Sequence, residues 1–136
     1  MHIYVDSSAL IKRVVAEAES DALVEFLDEH YSRTDLLASS SLAWVEVSRV
    51  VLARVKSADD AGELIEGAMS GIDERPMSAD VISVARRIEP LILRSLDAIH
   101  LATAVLIDAD LVVTYDDRLA DACRRNALAV AMPGRD

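Results

Sequence analysis

Apolar and polar positions along the chain follow two periods, and the places where the period changes mark the elements. His2 to Val5 is a short β-prone run that stops at Asp6, where SSALIKRVVAEA opens with capping residues and takes on helical composition. ESDALVEFLDEHY puts Leu23, Phe26 and Leu27 on one face at i, i+3, i+4 with acids opposite, and the apolar LLAS that follows reads as a strand. SLAWVEVSRVVLARVK is long, apolar and free of Pro and Gly, which predicts a buried helix, with DDAGELIEGAMSG as its antiparallel neighbour. IDERPM reads as a short strand or turn. Two further helices follow: SADVISVARRIEP, which opens on a cap and closes at Pro90, and SLDAIHLATAVLID, for which Ser95 is the expected cap. The last third reads strand (LVVT), helix (DDRLADACRRN), strand (LAVAM), then a Pro-Gly stop. Four or five short apolar strands separated by helices predict an α/β fold whose parallel sheet is covered on both faces.

Composition narrows this picture. A chain of 136 residues with 52% apolar residues, four glycines and three prolines predicts one core-forming domain over residues 1–136 and excludes a mostly disordered chain. Fourteen basic against 24 acidic residues give a net charge of −10, so nucleic acid cannot be held by a general positive surface. The single cysteine, Cys123, rules out an intrachain disulfide and a thiolate zinc cage, and His2, His30 and His100 lack metal-ligand spacing. The most apolar stretch, AIHLATAVLI, has about half the length a membrane span needs, and MHIYVDSSAL has no signal-peptide pattern, which predicts a cytoplasmic protein without membrane attachment.

Most of the acids belong on solvated helix faces. Four stand out. Asp6 directly follows the strand IYV, which sets it either as a helix N-cap or at the carboxyl edge where open α/β sheets place their ligands. Glu46 sits among apolar neighbours in SLAWVEVSRVV, where an ion pair with Arg49 returns only a few tenths of a kcal/mol (~0.2–0.5) against burial of a charge. Asp97 lies in the first turn of the most apolar helix, and Asp116 follows LVVT as Asp6 follows IYV. Asp117 is a fifth candidate, more readily solvent-facing. If their strands are neighbours in a parallel sheet, Asp6 and Asp116 converge. Clustered carboxylates repel unless a cation neutralises them, and oxygen-only donors select a hard ion, Mg²⁺ or Mn²⁺. Such a site is suited to metal-assisted phosphodiester hydrolysis, and a loaded metal makes the acidic pocket locally attractive to phosphate.

The blocks VDSSALIKRVVAE, WVEVSR, SLDAIHLATA and LVVTYDDRLADAC, in this order and spanning nearly the whole chain, resemble a PIN domain of the VapC type, the ribonuclease toxins of toxin–antitoxin pairs. The resemblance implies a PIN-like three-layer α/β/α sandwich around a central, mostly parallel sheet of four or five strands. It implies an Mg²⁺- or Mn²⁺-dependent endoribonuclease whose metal-site acids are Asp6, Glu46, Asp97 and Asp116, with Thr114 as the accessory hydroxyl of a T-x-D pattern that favours Asp116 over Asp117. It implies RNA as substrate, a VapB-like antitoxin as partner and a homodimer. Ser7 stands where the family usually has threonine, keeping the hydroxyl without the methyl.

The remaining residues take conditional roles. Lys12, Arg13 and Arg118 are either phosphate contacts or ordinary surface charge, and Arg49 is placed to orient Glu46. Trp44 and Phe26 are assigned to packing, His100 to a satisfied core position, and Cys123 to an inert one. Leu23, Phe26, Leu27, Leu64 and Ile65 form apolar stripes that either pack into the core or receive the antitoxin. Two other readings remain: an α/β phosphotransfer protein, disfavoured because Ser8 stands where a second Asp is required and no Lys follows the last strand, and a cation-binding α/β module without turnover, which no sequence feature excludes.

Overall fold

The computed structural model describes residues 1–135. Its elements are β1 (His2–Val5), α1 (Ser7–Ile11), α2 (Ser20–Ser32), β2 (Leu36–Ser40), α3 (Ser41–Arg54), α4 (Ala58–Met69), β3 (Asp73–Arg75), α5 (Ala79–Ala85), α6 (Ser95–Leu106), β4 (Leu111–Val113), α7 (Asp117–Arg125) and β5 (Ala129–Ala131). The five strands form one sheet in the order β3-β2-β1-β4-β5, and every pairing is parallel. The chain builds β2 and β3 on one side of β1, then crosses to build β4 and β5 on the other. The switch point is therefore the β1/β4 boundary, where an open α/β sheet leaves a crevice at the carboxyl ends of its strands.

Period-two alternation in the central strands divides the core into two layers. Ile3, Val5 and Val113 face one side, where they pack with Leu10, Leu23, Leu27, Val47, Val51 and Met69 from α1 to α4. Tyr4 and Val112 face the other and meet Leu101 and Ala104 of α6 and Leu119, Ala122 and Cys123 of α7. This is the three-layer sandwich expected, with a sheet that is wholly parallel. Each strand of the interior is buried on both faces, which is why LLAS and LVV read as continuous apolar runs.

Three local expectations change. The first helix stops at Ile11, because Lys12, Arg13 and Val14 donate to Ala9, Leu10 and Ile11 in i→i+3 turns. The turn carries Lys12 Nζ to Glu17 and Glu19, 3.1 Å from each, and Arg13 to the carbonyls of Ala68 and Ser70 at 2.8 Å. Tertiary partners for two long cations thus override a helical composition. The N-cap of α6 is Arg94, not Ser95, and no side chain caps it. Of the apolar stripes, Leu23 and Leu27 are fully enclosed in the core, Phe26 and Ile65 are half-buried against it, and only Leu64 reaches the surface. Trp44 is also half-buried against that core, as assigned. Among the described residues no helix is long and apolar enough to cross a membrane.

This division of the stripes makes a stability contrast. Leu23→Ala should lower the unfolding free energy by about 2–5 kcal/mol, and Leu64→Ala by under about 1 kcal/mol, in urea denaturation. Equal costs would contradict the assignment of Leu23 to the core and Leu64 to the surface.

Candidate metal centre at the sheet switch point

Asp6 anchors the site. The backbone N–H of Asp6 donates to Val113 O at 3.1 Å, which extends the β1/β4 pairing by one residue and brings the two strand ends side by side. The Asp6 side chain is 3% exposed. Its Oδ1 accepts from Ser8 Oγ at 2.7 Å and from Ala9 N at 3.1 Å, so it caps α1, and its Oδ2 accepts from Thr114 Oγ1 at 2.6 Å. Thr114 Oγ1 in turn accepts from Asp116 N at 3.0 Å, and Ser8 Oγ accepts from Tyr115 N at 2.9 Å. Two hydroxyls thereby bolt the end of β1 to the turn after β4. The T-x-D spacing has a physical reason: the threonine holds one aspartate through its oxygen's donor proton and the backbone of the other through its lone pair.

Asp116 is the N-cap of α7, its Oδ1 accepting from Arg118 N at 2.9 Å and Leu119 N at 3.3 Å. Its Oδ2 has no protein donor among the described residues. Asp97 lies half-buried in the first turn of α6 and accepts no hydrogen bond among the described residues. Its carboxyl is raised above the ordinary range, first by burial, then by the charges of Asp116, Asp6 and Glu46, with His100 opposing. The charges of Asp6, Glu46 and Asp116 thus all bear on Asp97. Asp6 is raised as well, by burial, against the opposing charge of His100 and the donors on its own oxygens.

Glu46 Oε1 accepts from Ser7 Oγ at 3.0 Å and faces His100 Nε2 at 2.6 Å. His100 Nδ1 lies 2.5 Å from the Tyr4 hydroxyl, which accepts from Ser40 N at 3.2 Å. Burial works against an imidazolium here, yet the Glu46 hydrogen bond and the charges of Asp6, Glu46 and Asp97 outweigh it and raise His100. His100 is a satisfied core histidine as expected, and it also orients Glu46. Sequence reasoning missed that link, because its only local signal is that His100 sits one turn beyond Asp97 in DAIH. The part given to Arg49 is corrected: Ser7 and His100 hold Glu46, and Arg49 is exposed.

The other candidates separate. Ser7 and Thr114 are in the site, through Glu46 and Asp6. Asp117 is turned out of it, its side chain 85% exposed and 3.5 Å from Arg135. Lys12 and Arg13 are corrected as phosphate contacts by the partners described above; Lys12 is buried, paired with Glu17 and Glu19, and lies 4.7 Å from the centre of the Tyr115 ring. Arg118 is exposed beside the site. Burial pushes the Cys123 thiol up to about 12, which makes it inert as expected.

Chemically the donor set is four carboxylates with hydroxyl support, which suits a hard divalent ion. Free oxygens remain on Asp97, Asp116 and Glu46. Among the described residues no three Asp, Glu, His or Cys side chains are gathered closely enough to enclose an ion already. The chain's residues 3–125 match the model of the PIN domain family. The chain is a PIN domain of the VapC family. It is 42% identical to Ribonuclease VapC46 of Mycobacterium tuberculosis strain ATCC 25618 / H37Rv over 133 residues, covering 96% of this chain and 97% of that protein. Identity to Ribonuclease VapC47 of strain CDC 1551 / Oshkosh is 40% over 134 residues, 97% of each chain. In structure it is similar to the VapBC2 complex of Rickettsia felis bound to a DNA fragment from its promoter, with a TM-score of 0.75 at 15% identity, covering 96% of this chain and 98% of that one. VapBC-1 of nontypeable Haemophilus influenzae gives a TM-score of 0.70 at 11% identity, covering 96% and 97%. These likenesses show the same fold, and the VapC matches show the family.

The raised carboxyls set a pH dependence for the metal-free protein. Asp6 and Asp97 are raised above 3.8 and His100 above 6.5, so the folded state holds these protons more tightly than the unfolded chain. Stability from these groups is complete below the unfolded values and is lost as pH rises through the folded ones. The melting temperature without metal should therefore rise as pH falls from about 8 to about 5. Asp97→Asn should flatten part of this slope. A metal-free melting temperature that falls steadily over that range would refute the repulsion described here.

Proposed function

We propose that this VapC-family protein is a metal-dependent endoribonuclease that hydrolyses RNA phosphodiester bonds as the toxin of a toxin–antitoxin pair. The observation that carries the reading is the convergence of Asp6 and Asp116 at the switch point of the parallel sheet, bridged by Thr114 Oγ1, with Asp97 under the charge of both. The ribonuclease names of VapC46 and VapC47 support the same reading. Asp6, Asp97 and Asp116, with Glu46 beside them, would hold Mg²⁺ or Mn²⁺. When bound, the ion supplies a polarised water and charge stabilisation for the leaving oxygen.

The chain's own residues do the rest. Thr114 and Ser8 fix Asp6 so that its carboxylate cannot rotate away from the strand edge. The backbone N–H groups of Arg118 and Leu119 fix Asp116 through one oxygen and leave the other for the ion. Glu46, held by Ser7 and His100 on one oxygen, keeps the second free to act as a proton acceptor. Asp97 is tied by no donor and completes the set. The solved neighbours include toxin–antitoxin complexes, among them one from Klebsiella pneumoniae, which supports a VapB-like antitoxin for this chain. A basic antitoxin side chain in the pocket would pair with these acids and silence them. A homodimer and a cytoplasmic location complete the proposal.

The test is cleavage of single-stranded RNA with Mg²⁺ or Mn²⁺, expected to stop on EDTA addition and in Asp97→Asn. Asp116→Asn should lose at least about a hundredfold in rate while melting no lower than wild type without metal, since Asn caps as well as Asp and one repelling charge is gone. Mn²⁺ should raise the wild-type melting temperature by mass action. Mn²⁺ stabilisation without any cleavage would instead identify a cation-binding module without turnover. Co-expression with a neighbouring VapB-like reading frame should give a stable, inactive complex, and full activity within such a complex would reject the plugged pocket.

A further inference from the structure

The fourteen Lys and Arg side chains are unequally committed. Lys12, Arg33, Arg75, Arg125 and Arg135 are in ion pairs, and Arg13 is bonded to two carbonyls. Arg94 and Arg118 have no side-chain acceptor among the described residues, although each stands next to the acids. Arg94 is the N-cap of α6, three residues before Asp97, and Arg118 is in the first turn of α7, two residues after Asp116. Both arginines line one cleft of about 310 Å³, together with Pro90, Ile92, Leu93 and Asp121. Asp121 is paired with Arg125, so its charge does not consume either arginine.

The apolar side of this cleft is unusual in its own right. Ile92 is 92% exposed and its neighbour Leu91 is 76% exposed, at the tip of the connection between α5 and α6. A large aliphatic side chain held out beside two unpaired guanidinium forks suits a ligand that is both flat and anionic. Guanidinium forks match phosphate oxygens, and the apolar rim offers a surface to a base or sugar. In a chain of net charge −10, two such cations on one cleft give a phosphate a local attraction that the chain's overall charge does not.

We propose that the Arg94–Arg118 cleft is the subsite for single-stranded RNA next to the point of cleavage: one nucleotide rests on Pro90, Ile92 and Leu93, and its flanking phosphates pair with Arg94 and Arg118. The inference rests on the ribonuclease reading above and adds the substrate's path to it. Arg94 is then a substrate-binding residue of this chain, outside the four family-like blocks that bear the acids. Entry along this cleft leads a phosphate past the start of α6 to Asp97 and past the start of α7 to Asp116.

The experiment uses a short labelled single-stranded oligoribonucleotide of mixed sequence, read by fluorescence anisotropy in an Asp97→Asn background that prevents turnover. Arg94→Gln and Arg118→Gln should each weaken binding about fivefold and lower the slope of log K against log salt by about 0.7. In the cleavage-competent chain, Arg94→Gln should raise KM with little change in kcat, and the Mn²⁺-induced rise in melting temperature should stay at the wild-type value. Arg94→Lys should fall between wild type and Arg94→Gln. Unchanged affinity and salt slope in both Gln variants would overturn the subsite. Sedimentation of Arg94→Gln and Ile92→Glu at a smaller mass than wild type, with RNA affinity unchanged, would assign the cleft to a subunit interface and overturn it too. If the wild-type chain with Mn²⁺ neither binds nor cleaves RNA, the ribonuclease reading itself fails, an outcome distinct from cleavage that ignores Arg94.

Discussion

The site depends on one parallel pairing, β1 against β4, carried one residue past the strands by the Asp6 N–H to Val113 O bond. It forces a carboxylate into a 3% exposed position at a sheet edge, a burial that costs several kcal/mol (~2–7 for an unpaired polar group, more for a charge) unless donors meet it. Ser8, Ala9 and Thr114 provide three such donors. Those donors are themselves placed by the pairing, since Thr114 is the residue after β4 and Ser8 is in the first turn of α1. Strand register, helix start and carboxylate orientation are thus one cooperative unit. A one-residue slip of β4 would exchange Val112 with Val113 between the two core layers and remove Thr114 from Asp6.

Electrostatically, the pocket is under-neutralised. Six of the chain's cations are occupied with acids or carbonyls elsewhere, and among the described residues the basic side chain in contact with a site acid is His100. His100 is fixed from behind by Tyr4, whose ring meets it edge-on at 5.9 Å, and Tyr4 is fixed by Ser40 N at the start of α3. The helix that carries Glu46 therefore begins at the residue that anchors the other end of the relay. A core tyrosine of the central strand, a histidine of α6 and a glutamate of α3 form a line from the middle of the sheet to the pocket. Only one oxygen of Glu46 is used by it, which keeps the second available.

Most of the architecture was legible in the sequence because burial on two faces leaves a strong signal: IYV, LLAS and LVV are apolar runs too short for helices, separated by helical periods. The acids were legible for the complementary reason that Asp6 and Asp116 each follow an apolar strand at once, and Glu46 stands where a charge is hard to solvate. What the sequence did not show depends on contacts between residues far apart in the chain. Lys12 and Arg13 read as surface cations on a helix, but the pull of Glu17, Glu19 and two α4-end carbonyls ends α1 at Ile11. His100 reads as core and is core, yet its partner lies 54 residues away. Arg94 carries no local mark at all, and its place beside Arg118 arises only when α6 and α7 are packed on the same face.

Capping draws on the oxygens of Asp6 and Asp116 to different extents. Asp116 caps α7 with Oδ1 alone, and Asp6 caps α1 with Oδ1 while Oδ2 meets Thr114. The same arrangement points the N-termini of α1, α6 and α7 at the pocket, since Asp6 and Asp116 are N-caps and Asp97 is in the first turn. Each helix end carries unpaired N–H groups and partial positive charge, worth about 0.3–1 kcal/mol to a nearby anion. Three helix starts therefore offset part of the repulsion among the acids without occupying all their oxygens. A lysine in the pocket would offset it as well, but would take up the oxygens that the helix ends leave unbonded. Helix ends neutralise from behind, so Asp97 and Asp116 can be held near the buried Asp6 in the folded chain and still keep oxygens unbonded.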